Sequence, residues 1–267
     1  MFDGSFVVTI EVVPPQGSCP QKILSALESL AARPYYGFSV ASNPVAKACM
    51  SALALCTLIR QRIRKPAILH VTTRDHNRLS LQGELWGARA LGIETVMAAT
   101  GDFVALGERH HTTTVRDVDV YDLVRMARQT GFNTGVVFDS RPETGGLTGA
   151  VNHLKRKAAA GAQFAVTQPI FDRMAADELA EATRDVGIPI IMGLLPLRTA
   201  RHAEFLNTNV SGIVVPAALR RRMRDAADPI AVGVDNAREM ITTARERFGG
   251  VCIMPPFGHY EVLLDIL

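Results

Sequence analysis

Four polar side chains of this sequence stand at or just beyond the ends of short apolar segments. They are Glu11, His70, Asp102 and Gln168. Glu11 lies within the segment FVVTIEVVPP, where apolar neighbours would favour a carboxyl group that keeps its proton and acts as an acid. Pairing of that carboxylate with a lysine or arginine explains its position equally well. Together the four groups predict a site that binds a small polar ligand.

Each of these side chains also has a purely structural explanation. His70 could bond a backbone carbonyl, Asp102 could cap the segment that follows it, and Gln168 could satisfy the backbone of a loop. The explanations weaken when they are combined, because burying several polar groups at one rim costs free energy unless a ligand contacts them. The set as a whole therefore indicates a functional site.

The elements that must position these residues alternate along the chain between short β-branched segments and longer amphipathic segments. The eight predicted strands cover 6–13, 37–41, 67–73, 94–99, 133–138, 163–167, 188–193 and 250–254. Predicted helices cover 20–32, 45–63, 78–91, 119–130, 150–160, 172–186 and 229–247. Repeating βα units with apolar strands indicate a parallel sheet covered by helices.

Eight βα units in one chain predict an α/β fold, a single (β/α)8 TIM barrel that spans residues 1–267. In such a barrel the active site lies at the carboxyl ends of the strands, so the four polar residues should meet at one mouth. A doubly wound open sheet is the alternative. That fold predicts a G-x-G-x-x-G fingerprint in the first βα turn, and the turn here, VVPPQGSCP, does not contain one.

Composition narrows the class of protein further. The net charge is +3 and the one dense basic cluster, LRRRMRD at 219–225, is typical of a solvated helix face, so we expect no nucleic-acid partner. No apolar segment approaches the ~18 residues of a membrane span, and the N-terminus lacks the pattern of a signal peptide. We therefore expect a cytoplasmic protein without a membrane partner. The cysteines have no zinc-binding spacing, so no metal site is expected, and Cys49 and Cys56 are predicted to be buried in one helix.

Two further segments have open interpretations. The segment PETGGLTGAVNHLKRK (142–157) places a glycine-rich turn before a helix that carries Arg156 and Lys157, which could hold a diphosphate. A flexible loop followed by a solvated helix is at least as good an explanation. The segment MPPFGHYE (254–261) could present Phe257 to the barrel mouth or pack it against the terminal helix.

The order of these segments resembles the methylenetetrahydrofolate reductase family over essentially the whole chain. The matching motifs are IEVVPP, LHVTTRDHNR, ATGD, LKRKAAAGAQFAVTQPIFD, GLLPL and MPPFGHYE. The resemblance implies a (β/α)8 barrel that binds FAD at its mouth. It also implies that a hydride from NADH or NADPH passes through the flavin to 5,10-methylenetetrahydrofolate, which becomes 5-methyltetrahydrofolate. Because the sequence ends at the barrel, the regulatory domain of longer members is expected to be absent.

The resemblance also implies roles for individual residues. Glu11 matches the acid that protonates N10 of the folate, Asp102 matches a catalytic aspartate that contacts both pterin and flavin, and Gln168 matches a pterin-binding glutamine. Phe257 is expected at the folate. The expected flavin contacts are His70, Gly101, Asp102, Arg156 and Lys157.

Five positions depart from the family's pattern of flavin contacts. They are Ala41, Thr100, Val137, Ala150 and His153. A reductase that is flavin-free or uses a deazaflavin therefore stays open as an alternative to an FAD enzyme. A folate- or flavin-binding subunit that needs an electron-delivering partner protein stays open as well, as does a homo-oligomer.

Overall fold

The computed structural model describes residues 5–104, 111–139, 146–210 and 212–267. Eight parallel strands pair in chain order and close into a barrel, with β8 beside β1. The strands are β1 (Val7–Val12), β2 (Gly37–Val40), β3 (Ala67–Thr72), β4 (Thr95–Ala99), β5 (Asn133–Phe138), β6 (Phe164–Pro169), β7 (Ile190–Leu194) and β8 (Gly250–Ile253). The predicted (β/α)8 barrel is therefore confirmed, and the open sheet is excluded.

Helices surround the barrel between successive strands, and one short helix follows the last strand. They are α1 (Gln21–Glu28), α2 (Ala52–Arg62), α3 (Arg78–Ala90), α4 (Val120–Gln129), α5 (Gly146–Ala159), α6 (Arg173–Thr183), α7 (Ala200–Asn209), α8 (Ala217–Asp225), α9 (Pro229–Arg247) and α10 (Leu263–Ile266). None of the helices in the described ranges is long and apolar enough to cross a membrane.

The predicted helix over 45–63 was wrong in its first part. A short 3-10 turn covers Pro44–Ala46, and α2 begins only after Ser51, whose hydroxyl accepts a hydrogen bond from the backbone N–H of Ala54. A serine cap of this kind satisfies a free N–H group and fixes where a helix starts. Cys49 consequently lies outside the helix and is only half-buried, whereas Cys56 is buried as expected.

The two helices α7 and α8 were not among the predicted helices. Their buried residues, including Leu206, Leu219 and Met223, pack into a small apolar cluster apart from the main core. Leu219 and Met223 lie four residues apart, which is the spacing of one helix face, so a signal for α8 was present in the sequence. The basic cluster lies on α8, where Arg220 and Arg224 both pair with Glu204 of α7 at 2.6 and 3.0 Å.

Strand residues alternate between the helix layer and the barrel interior. The interior holds an apolar cluster of six buried residues: Ile68, Met97, Phe164, Val166, Ile191 and Cys252. Alternation places Glu11, His70 and Gln168 on the same inward face, nearer the carboxyl ends of their strands. A polar layer therefore lies directly above an apolar floor.

The floor depends on a glycine of β5. A Cβ added to Gly135 would lie 2.8 Å from Cε1 of Phe164 and closer still to two other carbons of that ring. Gly135→Ala is therefore expected to lower the free energy of unfolding by about 1–3 kcal/mol, because the core must shift to admit one methyl group. Gly83→Ala on exposed α3, where a Cβ meets open space, is the matched control and should raise stability by about 0.5–1 kcal/mol. Thermal unfolding of both variants measures the two changes in stability. Equal changes would contradict the close packing of Phe164 against Gly135.

Candidate active site

A cavity of about 400 Å³ opens at the carboxyl ends of the strands. Its lining includes six of the residues singled out in the sequence: Glu11, His70, Gly101, Asp102, Lys157 and Gln168. Arg156 and Phe257, the other two, are not among the lining residues. The four polar side chains that first indicated a site thus share one cavity.

Glu11 lies next to last in β1, opposite Ser39 of β2 in the barrel register. Its side chain faces the cavity but is enclosed by protein on the other sides. Burial, and to a smaller extent the negative charge of Asp102, raise the pKa of this carboxyl to about 7. A group with that pKa is about half protonated at neutral pH, so Glu11 can both hold and release a proton there.

His70 contributes a neutral ring to the cavity wall. Its Nε2 atom lies 2.7 Å from the hydroxyl of Ser39, with which it shares a hydrogen bond. Burial lowers the pKa of His70 to about 4, so the imidazole carries no charge at neutral pH. His70 therefore does not form an ion pair with Glu11, and the carboxyl group keeps its raised pKa.

Asp102 lies on the loop that follows β4. Its Oδ2 atom accepts a hydrogen bond of 2.6 Å from the backbone N–H of Val45. The preceding Gly101 has a φ of +90°, and a Cβ there would lie 3.0 Å from Cβ of Arg74. Glycine is therefore required at 101 both for its backbone conformation and for the close approach of the neighbouring loop.

Gln168 lies at a register shift in β6. The register between β6 and β7 shifts between Val166 and Pro169. The Thr167 hydroxyl donates to the carbonyl of Gln168 at 2.7 Å and accepts from the N–H of Gly193 at 2.9 Å. Such irregularities change the direction of a side chain, and here the side chain of Gln168 lines the cavity.

Three further residues were expected to contact the cofactor or the substrate, and each has different surroundings. Lys157 donates to the carbonyl of Val137 at 2.7 Å, and burial lowers the pKa of its ammonium to about 8. The guanidinium of Arg156 lies over the ring of Tyr121 at 4.5 Å. Phe257 is 78% exposed, and its ring centroid lies 5.1 Å from that of His202.

Sequence reasoning missed a pair of charged residues directly after β3. Arg74 is buried, with 3% of its surface exposed, and forms a bidentate ion pair with Asp75. The available signal was the sequence TTRD, which places an arginine and an aspartate together immediately beyond a buried strand. Ser39 and Thr72 were missed too, because a hydroxyl on a strand gives no clear functional signal.

FAD, the expected cofactor, combines a flat ring system with a diphosphate. The cavity volume lies within the range of ~300–1,000 Å³ that is usual for small-molecule sites, so a ring such as an isoalloxazine or a pterin fits. Three of the departing positions, Ala41, Thr100 and Val137, line that same cavity. The other two lie elsewhere, since Ala150 is buried and His153 packs beside the ring of Tyr121.

The diphosphate fits less well. Among the described residues that line the cavity there is one cation, Lys157, which gives one of the three N–H donors of its ammonium to the carbonyl of Val137. A buried diphosphate normally requires several cations or free N–H groups. The described residues therefore fit a flat heteroaromatic ring and do not by themselves provide a diphosphate site for FAD. The first part of the glycine-rich turn that was predicted to hold a diphosphate, residues 142–145, lies outside the described residues.

The fold and the cavity define a TIM-barrel protein with a carboxyl group of raised pKa at the mouth, and a group of that kind in a cavity is typical of a functional site. The family model for methylenetetrahydrofolate reductase matches residues 1–249. The chain therefore belongs to the methylenetetrahydrofolate reductase family, and the resemblance seen in its motifs is confirmed.

Two curated relatives agree with this assignment. A probable methylenetetrahydrofolate reductase (NADPH) of Caenorhabditis elegans is 28% identical over 134 residues, which cover 49% of this chain and 20% of the relative. Methylenetetrahydrofolate reductase 2 of Schizosaccharomyces pombe is 24% identical, over 93% of this chain and 42% of the relative. The matches thus cover less than half the length of these relatives.

Solved structures agree on the fold. A protein from Clostridium thermocellum that binds two copies of 5-methyl-5,6,7,8-tetrahydrofolic acid superposes with a TM-score of 0.70 at 14% identity, over 98% of this chain and 93% of that one. A 2,3-dimethylmalate lyase superposes with a TM-score of 0.55 at 16% identity, over 97% and 79%. At these identities the likeness shows the fold of this chain.

Proposed function

We propose that this protein reduces 5,10-methylenetetrahydrofolate to 5-methyltetrahydrofolate by hydride transfer, with Glu11 as the general acid at N10. The observation that carries the proposal is the carboxyl group of Glu11. It has a pKa of about 7 and lies in a cavity that it shares with Asp102 and Gln168. Membership of the reductase family and the structural neighbour that binds a methylated folate support the choice of substrate.

The proposed reaction balances in two steps. Glu11 donates its proton to N10, the bond between N10 and the bridging methylene carbon breaks, and N5 retains that carbon as a cationic iminium. A hydride then adds to the methylene carbon and gives the 5-methyl group. Glu11 is left as a carboxylate and regains a proton from solvent before the next turnover.

The other polar residues of the cavity bind and orient the folate in this proposal. The carboxylate of Asp102 and the amide of Gln168 can hold the donors and acceptors of the pterin ring. The same negative charge at Asp102 raises the pKa of Glu11 and so favours the form that can donate a proton. It also favours the positive charge of the iminium by Coulombic attraction.

The hydride donor is NADH or NADPH in this proposal. The position of Lys157 and the surroundings of Arg156 leave the described part of the cavity without a diphosphate site. The donor is therefore treated as a variable of the experiment, and a reduced deazaflavin is included.

The test is turnover of the purified protein with 5,10-methylenetetrahydrofolate. We expect 5-methyltetrahydrofolate, measured by chromatography, with at least one of NADH, NADPH with or without added FAD, or a reduced deazaflavin. The visible spectrum of the protein shows whether a flavin is present. If 5-methyltetrahydrofolate binds but no donor supports its formation, the reductase proposal fails, and a folate-binding subunit that depends on a partner protein replaces it.

A further inference from the structure

Arg74 connects two loops at the cavity mouth from a buried position. Its Nε and Nη2 atoms donate to the carboxylate of Asp75 at 2.6 and 2.7 Å. Nη1 donates to the carbonyl of Asp102 at 2.9 Å, and Nη2 also donates to the carbonyl of Asn43 at 3.0 Å. One guanidinium therefore contacts the loop after β2 and the loop after β4 simultaneously.

The loop after β2 has a backbone that needs such support. Three of its non-glycine residues have positive φ angles: Asn43 at 44°, Val45 at 51° and Ala46 at 56°. A β-branched residue such as Val45 rarely adopts this conformation, which persists only where surrounding contacts enforce it. Residues in such strained backbone often cluster at functional sites.

The contacts that hold this backbone in place involve Asp75 and Asp102, the same residues that Arg74 contacts. The side-chain amide of Asn43 donates to Asp75 at 3.1 Å, and its oxygen accepts from the N–H of Cys49 at 3.0 Å. The N–H of Val45 donates to Oδ2 of Asp102. The carboxylate of Asp102 and the backbone of the β2 loop are thus parts of one network, which the guanidinium of Arg74 closes.

We propose that Arg74 is a positioning residue for the folate site: it fixes the β2 loop and the backbone of Asp102 so that the Asp102 carboxylate faces the cavity. This inference rests on the proposed function, since it concerns the carboxylate that would bind the pterin. A carboxylate accepts about four hydrogen bonds, so the one from Val45 leaves capacity for a ligand. Arg74 itself does not line the cavity and acts only through other residues.

The guanidinium shape is essential to this role. Its planar fork satisfies Asp75 with two nitrogens while it bonds two carbonyls on different loops. An ammonium is a compact point charge on a flexible stem, so Arg74→Lys should keep the ion pair with Asp75 and lose contact with at least one loop. The variant therefore removes positioning while the buried charge stays compensated.

The experiment measures binding of 5-methyltetrahydrofolate by calorimetry. We expect Arg74→Lys to raise Kd by about tenfold in the otherwise unchanged protein and by less than about twofold when Asp102→Asn is already present. Arg62→Lys is the matched control, because Arg62 forms the same bidentate pair with Glu28 at the protein surface, and its Kd should stay unchanged. Additive effects of Arg74→Lys and Asp102→Asn would overturn the proposal.

A second variant guards against loss of folding. Arg74→Gln combined with Asp75→Asn removes the buried charges together and leaves polar groups of similar size. It should raise Kd at least as much as Arg74→Lys. A lower melting temperature with an unchanged Kd would show that Arg74 is only structural and would overturn the role. Failure of the unaltered protein to bind any folate is a different result, which rejects the proposed function together with this one.

Discussion

Glu11→Gln is expected to abolish folate reduction, with a fall in rate of about 10²–10⁴-fold. Glutamine has nearly the same shape as glutamate but cannot donate a proton to N10, and a general acid typically contributes an acceleration of that size. Formation of 5-methyltetrahydrofolate under single-turnover conditions is the measurement. The loss should appear in the rate of the folate step and not in folate affinity.

The control for this variant is chemistry that does not need the acid. NADH-dependent reduction of any bound flavin should remain close to that of the unaltered protein, since no proton transfer to N10 is involved. Binding of 5-methyltetrahydrofolate should remain as well. A Glu11→Gln protein that reduces the folate at an unchanged rate would refute the assigned role.

The second large effect concerns how the rate of the folate step depends on pH. The rate of the folate step is expected to fall above about pH 7 and to approach a tenfold loss per pH unit, because the reaction needs the protonated carboxyl. The sign follows from the raised pKa: burial and the charge of Asp102 both disfavour the carboxylate, so Glu11 keeps its proton up to neutral pH. Below that range the rate should be independent of this group. Single-turnover rates between pH 5 and 9 check the profile.

The variant Asp102→Asn tests whether the fall in rate above about pH 7, the inflection of the pH profile, is due to Glu11. Removing the negative charge lowers the pKa of Glu11, so the decline in rate should begin at a lower pH. Lys157, whose pKa is about 8, also titrates within the range, and Lys157→Met should leave the position of the Glu11 inflection in place. An inflection that moves with Lys157 and not with Asp102 would assign the profile to the lysine.

The barrel could be predicted because its signals are local. Eight β-branched segments alternate with amphipathic segments along the chain, and in the folded protein these become the strands and helices of the barrel. Within each strand, side chains alternate between the helix layer and the barrel interior. The placement of the four polar residues followed from the same rule, since the carboxyl ends of parallel strands share one rim. Helix starts were less predictable: the cap at Ser51 depends on one hydrogen bond that a sequence pattern does not distinguish from its alternatives.

The supporting network of the site could not be predicted, because its contacts join residues far apart in the chain. Arg74 bonds residues on both flanking loops, 31 and 28 positions away, and no spacing rule relates such positions. The direction of Arg156 likewise depends on Tyr121 of the adjacent helix α4. Motif resemblance indicates which residue types occur at a position but not which neighbour each side chain contacts.

Within the described residues, an apolar cluster lies in the barrel beneath the polar layer of the cavity. The ring of Phe164, packed against Gly135, belongs to this cluster, and the cavity opens on the other side, at the carboxyl ends of the strands. A folate and a hydride donor are therefore both expected to enter from that side. When a hydride passes directly from donor to folate, both must occupy the mouth together, whereas a resident flavin would let them bind in turn. Steady-state kinetics distinguish the two routes, since direct transfer should give intersecting double-reciprocal plots and transfer through a flavin parallel ones.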